Sequence, residues 1–261
     1  MKIKRILLPV IVIGAIVLGL KAEVKQIKKQ PNSRQTGGFA VVELFTSEGC
    51  SSCPPADALI AKIEKEQADQ PIYILAYHVD YWDKLGWRDP FSNPKFSARQ
   101  RQYANWLNLS TIYTPQIVVN GSHEFTGSEE NTLRKSIQTA RSKSIKNKLE
   151  LSLIKSSSAE LNLKYSTSKN TENNILFIAL VNPNASSLVL KGENKGRMLN
   201  HVQIVTEIEN INLDGRTNGT VHINFPKTSD RSKATLIAFL QNNKTGEITA
   251  VSRINNLTSA I

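Results

Sequence analysis

The chain is poor in cysteine, in long apolar runs and in acidic residues, and each shortage excludes something. Two cysteines in 261 residues, three positions apart, rule out a small domain stapled by several disulfides. No segment repeats with a period of about 20 to 50 residues, which excludes a solenoid. The uncharged apolar run at residues 6–20 is shorter than the roughly 20 residues that a free-standing membrane helix wants. Acidic residues number 22 against 33 Lys and Arg, but the imbalance is local. The first 37 residues hold eight of the basic residues and one of the acidic ones, leaving 25 basic and 21 acidic, a net charge of +4. A nearly balanced body needs no basic face, and nucleic acid is not expected as a partner. Hydrophobic residues make up 40% of the chain, enough for a packed core and too many for a wholly disordered chain.

The chain begins with an export signal. Lys2, Lys4 and Arg5 precede the apolar run, the layout of a secretory leader. Leu20-Lys21-Ala22 matches a small-x-small cleavage site poorly. Residues 1–22 therefore read as a signal peptide or as an N-terminal membrane anchor through residues 6–20. In either case the remainder is expected in the periplasm or outside the cell. Residues 23–38 read as a basic linker.

Two halves with different patterns follow. Residues 39–145 alternate strand-like and helix-like segments. Residues 39–45 and 71–79 are apolar strand candidates. Ala56, Leu59, Ile60 and Ile63 fall at helical spacing between them. Residues 94–109 form a helix candidate capped by Asn93, with Pro94 at its first position. Residues 116–119 and 123–126 are strands joined at Asn120-Gly121. Ser128 is the expected cap of a last helix with Leu133, Ile137 and Ala140 inward. Residues 146–261 read as about seven strands, with alternating sets such as Leu149, Leu151 and Leu153, and continuous runs at 175–181 and 236–240. The expected architecture is an α/β domain followed by an all-β antiparallel sandwich. The second half has no cysteine and reads as a binding or scaffolding domain.

The chemistry points to Cys50-Ser51-Ser52-Cys53, which follows the first strand and opens the first helix. A thiol at a helix start meets free backbone N–H groups and the positive end of the dipole, and both favour thiolate. Cys50 is the expected exposed nucleophile and Cys53 the resolving thiol. A structural disulfide is the bland alternative, but closing so short a loop stabilises little, about 2 kcal/mol. If the strands joined by the helix are parallel, the segments after 71–79 and before 116–119 lie at the same sheet edge as the cysteines. His78 then has three readings: tuning Cys50, joining Cys50 and Cys53 as a copper or zinc ligand, or a satisfied histidine at a strand end. Asp80, Asp83 and Asp89 alternate with Tyr81, Trp82, Trp87 and Phe91, which argues for a rigid loop. Trp82 either packs on the body or helps form a recognition surface. Arg99 and Arg101 read as solvated charge.

CxxC at a helix start, with Thr114-Pro115 leading into a strand, resembles the thioredoxin superfamily. The longer runs FTSEGCSSCPPAD, HVDYWDKLGWRDPF and YTPQIVVNG resemble one exported thioredoxin-like family, domain of unknown function 1223. That likeness covers residues 39–142, and more weakly KGENKGRMLNHV at 191–202. The resemblance implies a thioredoxin-like fold for residues 39–145 and a cis-proline at Pro115 packed against the disulfide. It implies that Thr114 and Pro115 bind substrate backbone; Trp82 is the expected substrate-binding residue only on the recognition-surface reading of its loop. At the position where thioredoxins carry a proton-moving acid this chain has Leu44. Glu43 is next to it, either serving in proton transfer or simply an exposed strand glutamate. The leading expectation, from the placement of the CxxC pair, is thiol–disulfide exchange on an exported protein partner, with the Cys50–Cys53 pair and no separate cofactor. The alternatives are delivery of a soft metal, and an interaction module using the fold as scaffold.

Overall fold

The computed structural model describes residues 37–145, 147–157, 159–168, 171–227 and 229–258. The leader or anchor at 1–22 and the linker up to residue 36 lie outside the described residues. Among those described, three α-helices and eleven strands form two sheets.

The first half has the elements its periodicity predicts. Strand β1 (Ala40–Thr46) is buried along its whole length, with helices over both of its faces. Helix α1 (Pro54–Glu66) turns Ala56, Leu59, Ile60 and Ile63 inward. Strand β2 (Ile72–His78) pairs parallel with β1, in a register that sets Thr46 against His78. A 3-10 helix (Asp80–Leu85) leads on to α2 (Pro94–Leu107), where the Asn93 side chain accepts from the Lys95 N–H as a helix cap should. Strands β3 (Gln116–Val119) and β4 (His123–Thr126) make a hairpin, with β3 antiparallel to β1. Helix α3 (Glu130–Ser142) follows, but Ser128 is not its cap. Glu129 stands at that position and makes no capping hydrogen bond.

The second half supplies β5 (Leu149–Ser156), β6 (Glu160–Thr167), β7 (Asn174–Leu188), β8 (Met198–Asn212), β9 (Asn218–Asn224), β10 (Thr235–Asn242) and β11 (Ile248–Asn255). These do not form a sandwich of their own. Strands β5, β6 and β9 make a small sheet, and the other four extend the first-half sheet to eight strands in the order β11-β10-β7-β8-β2-β1-β3-β4. The expected α/β domain followed by an antiparallel sandwich is therefore incorrect: the molecule is mostly β, built on one large mixed sheet.

The junction is the pairing of β8 with β2, parallel, at Ala76 and Ile204. Nothing in the hydrophobic pattern marks it. Strand β7 runs on through Asn182-Pro183-Asn184, residues whose chemistry marks turns. Neighbouring pairs put Pro183 opposite Gln203, which adopts a φ of +52°. Proline lacks the N–H that a ladder needs, so it is accommodated where the ladder is irregular.

The core has three parts. Helices α1 and α3 cover the face of β1 that carries Val42 and Leu44. Helix α2 covers the opposite face, where Val41, Phe45 and Tyr77 meet Phe177 and Phe239 of β7 and β10. The small sheet covers Leu176, Ile178 and Leu180 of β7, the residues facing away from α2. Strand alternation thus assigns each neighbour to one face.

Candidate functional site

The end of β1, the start of α1 and the loop before β3 meet around the cysteines. Cys50 and Cys53 form a disulfide, with Cα atoms 5.4 Å apart. Cys53 is the residue before α1, and Pro54 and Pro55 open the helix. Proline carries no N–H, and those of Ala56 and Asp57 donate back to the Cys53 carbonyl at 2.9 and 3.1 Å. The first turn therefore offers the sulfurs fewer N–H groups than an ordinary helix start, and less support for a thiolate than the sequence expectation assumed.

Three other predicted residues stand beside the pair. The Thr114–Pro115 peptide is cis. The Thr114 carbonyl oxygen lies 3.8 Å from Cys50 Sγ. The Trp82 indole donates to Thr114 Oγ1 at 2.9 Å, and its Cβ lies 3.0 Å from where a side chain at Gly49 would begin, so a larger residue there would need the tryptophan to give way. Glycine before the first cysteine is thus explained by the tryptophan lying over it.

Cys50 is not the exposed nucleophile expected. It is 1% accessible and Cys53 is 0%, while Ser51 and Ser52 between them are exposed. The turn joining β7 to β8 is tied to the backbone of the cysteine loop. Asn194 donates through Nδ2 to the carbonyl oxygens of Glu48 and Cys50, both at 2.9 Å. The Glu193 carboxylate accepts from the Ser51 N–H at 2.9 Å.

A buried network of acids and histidines lies next to the disulfide loop. Glu48 accepts from the Trp87 indole at 2.8 Å and faces His201 Nε2 at 3.2 Å. His201 Nδ1 is 3.6 Å from Asp57, which in turn accepts from Thr46 Oγ1. Burial alone would lower the pKa of His201, but the carboxylates of Asp57 and Glu48 outweigh it and raise the pKa to about 9. His78 Nδ1 pairs with Asp89 at 2.7 Å, and Asp89 also accepts from the N–H groups of Glu48 and Phe91. Burial disfavours the Asp89 carboxylate, yet His78 and those N–H groups hold its pKa below the ordinary value. The two imidazoles meet edge to face with centroids 4.6 Å apart. His78 thus belongs to this network, bonded to Asp89. Among the described residues, no three of His, Cys, Asp and Glu are arranged to hold a metal ion.

Glu43 lies elsewhere. It shares the α2 face of β1 with Val41 and Phe45, whereas α1 and its cysteines sit against the other face. Arg99 grips it with Nε at 2.6 Å and Nη2 at 2.9 Å, and Tyr103 donates a further hydrogen bond. Arg99 is no solvated charge. It is buried among the rings of Tyr77, Tyr103, Phe177 and Phe239, with its Cζ 4.4 Å from the Phe177 centroid. A carboxylate so paired, on the far face of the strand, has no path to the sulfurs. The cavity lined by Gly38, Phe39, Asn120 and Ile248 is also remote, at the opposite end of β1.

The profile described as "Protein of unknown function (DUF1223)" matches residues 41–241. The chain belongs to this family. The match takes in both cysteines, Thr114-Pro115 and the β7–β8 turn, so the DUF1223 region contains the whole site. A crystal structure of a protein from Agrobacterium tumefaciens is similar, with a TM-score of 0.63 and 23% identity, covering 85% of this chain and 96% of its own. That likeness speaks to the fold alone. A β-glucosidase from Kluyveromyces marxianus matches with a TM-score of 0.22 and 11% identity, over 47% of this chain and 16% of its own, which carries no argument. No curated protein matches. Spacing alone did not reveal Glu48, Asp57, Asn194 or His201 as members of the site. The weak family likeness at 191–202 was the one signal that pointed to the β7–β8 turn.

Proposed function

We propose that this DUF1223 protein is an exported thiol–disulfide oxidoreductase that exchanges the Cys50–Cys53 disulfide with a protein partner. The observation that carries the reading is the disulfide itself, at the head of α1 and beside the Thr114 carbonyl. The N-terminal leader pattern supports export, where such a pair persists oxidised. The local likeness to the thioredoxin superfamily supports the chemistry, although the fold class differs.

The exchange is written from the oxidised form. A partner thiolate attacks Cys50 Sγ, the Cys50–Cys53 bond breaks, and Cys53 leaves as a thiolate and takes a proton. The partner's second thiolate then attacks its own mixed-disulfide sulfur, and Cys50 leaves. Two electrons pass to the cysteine pair and the partner is oxidised. The reverse sequence reduces a partner disulfide, with Cys53 resolving the intermediate. Thr114 and Pro115 supply the backbone against which the partner strand lies, and Trp82 holds Thr114 in place.

Cys53→Ala is expected to accumulate mixed disulfides with exported proteins, seen as reducible high-mass species, while Cys50→Ala is not. If both variants stay free of adducts in cells, the reading fails. Equilibration in glutathione buffers gives the direction: about −120 to −200 mV marks an oxidant or isomerase, and near −270 mV a reductant.

A further inference from the structure

We propose that the tip of the β7–β8 hairpin, residues 189–197, is a latch that closes the Cys50–Cys53 disulfide and must lift before either sulfur can exchange. Its biological meaning rests on the oxidoreductase reading above; its mechanics do not.

Four observations carry it. Both cysteines are buried in a loop whose own serines are exposed, so the sulfurs are reached only if something around that loop moves. Asn194 is itself fully buried, and its amide donates to two carbonyls of the cysteine loop. These are the closest polar ties between tip and loop, together with the Ser51 N–H donated to Glu193. The tip is also a unit. Val189 and Gly196 each hydrogen-bond across its neck, to Arg197 and from Gly196 back to Val189, at 3.0 and 2.8 Å. Arg197 donates to Asn194 Oδ1 at 2.8 Å, holding the amide so that Nδ2 faces the loop. Besides its three hydrogen bonds to the loop, the tip is held by Gly192 against Trp87 and by the buried side chain of Val189, and it lifts as one piece when these ties give way. Finally, Leu188, Leu190 and Met198 stand exposed at the base of the tip, so a surface that lifts it meets apolar side chains there.

The latch contacts have the pattern of main chain: N–H groups given to two carbonyls, and an oxygen offered to one N–H. An extended polypeptide segment can replace all three, whereas a small thiol cannot. The device therefore favours protein partners over small thiols such as glutathione. The tip acts on backbone groups of the loop, which are present whether the cysteines are oxidised or reduced. Removing it should change the rate of exchange in both directions and leave the equilibrium where it was.

The test follows reduction of the oxidised full chain by dithiothreitol, with timed acid quench, alkylation and mass analysis. One dithiothreitol thiolate attacks a cysteine sulfur and displaces the other, and the second thiol closes the reagent's ring. Asn194→Ala, which loses two hydrogen bonds, is expected to react about ten-fold faster than the natural chain. Glu193→Ala, at an exposed position that any folded chain tolerates, is expected to react about two- to five-fold faster. Reoxidation by oxidised dithiothreitol should accelerate by the same factors. Reaction of both variants at the natural rate overturns the latch. So does a natural-chain rate that rises with urea as steeply as global unfolding does, since access would then come from unfolding. A shifted equilibrium in Asn194→Ala would make that residue a tuner of sulfur chemistry instead, again overturning the latch. Dithiothreitol reads access whether or not the pair cycles in cells. Faster reduction in the variants together with no mixed disulfide trapped by Cys53→Ala in cells would keep the latch and sink the oxidoreductase reading.

Discussion

His201 lies between two carboxylates, with Glu48 on one ring nitrogen and Asp57 near the other. With a pKa of about 9 it is a cation at neutral pH. The ordinary value of 6.5 applies once the chain unfolds, so the folded state binds the proton more tightly. Its contribution to stability is complete below pH 6.5 and is lost as pH rises from 6.5 towards 9. The shift corresponds to about 3 kcal/mol at most. Urea midpoints are expected to fall across that window in the natural chain. His201→Gln should be less stable at pH 6 and flat between pH 6.5 and 9. An unchanged slope in the variant would assign the pH dependence to another group. The histidine also matters for charge: Glu48 is two residues before Cys50, and an unpaired carboxylate there would oppose a thiolate.

At the scale of elements, Arg99 is the connection that strand and helix patterns hide. It carries α2 into contact with Glu43 of β1, Tyr77 of β2, Phe177 of β7 and Phe239 of β10. Breaking a buried pair leaves one charge unmatched in the interior. Glu43→Gln is expected to cost about 3–5 kcal/mol of stability by urea unfolding. The same variant should leave the glutathione equilibrium of the cysteines unmoved, because Glu43 faces away from them. A changed potential in a chain of normal stability would return the carboxylate to the proton-transfer role. A charged residue on a helix reads as solvent-facing unless its partner is known, and this partner lies 56 residues away. That is why the sequence pattern located β1, α1, β2, α2, β3 and β4 so closely and still left Arg99 and Glu43 misplaced. Local periodicity reports which face is apolar; it carries no information on which distant strand completes the face. The CxxC pair and Thr114-Pro115 were legible for a different reason. Their chemistry depends on residue type and on short spacing, both of which a single sequence displays.

For the molecule as a whole, the pairing of β2 with β8 decides how the chain behaves. The α2 face of the sheet is filled equally by Phe96 and Tyr103 from the first half and by Phe177, Val205 and Phe239 from the second. A fragment of residues 37–145 would expose that apolar face and leave the β2 edge unpaired. It is expected to lack the near-ultraviolet circular dichroism of the full chain and to aggregate. A soluble fragment with native-like exchange protection in β1 would show that the first half folds alone. The same arrangement explains why the fold class misled. Among its described residues the second half does hold seven strands, as its alternation predicts. The sheet to which each belongs is a matter of long-range pairing, which alternation does not encode.

The latch also sets an order of events during synthesis. Cys50 and Asn194 are 144 positions apart, and a chain emerges from its N-terminus first. The cysteines and α1 are complete long before the residues that cover them exist. During that interval the pair is open to whatever oxidant or reductant surrounds it. Once β7 and β8 join the sheet, the tip closes on the loop and further exchange waits on its lifting. The order of synthesis thus gives the pair one period of open exchange before the latch can act.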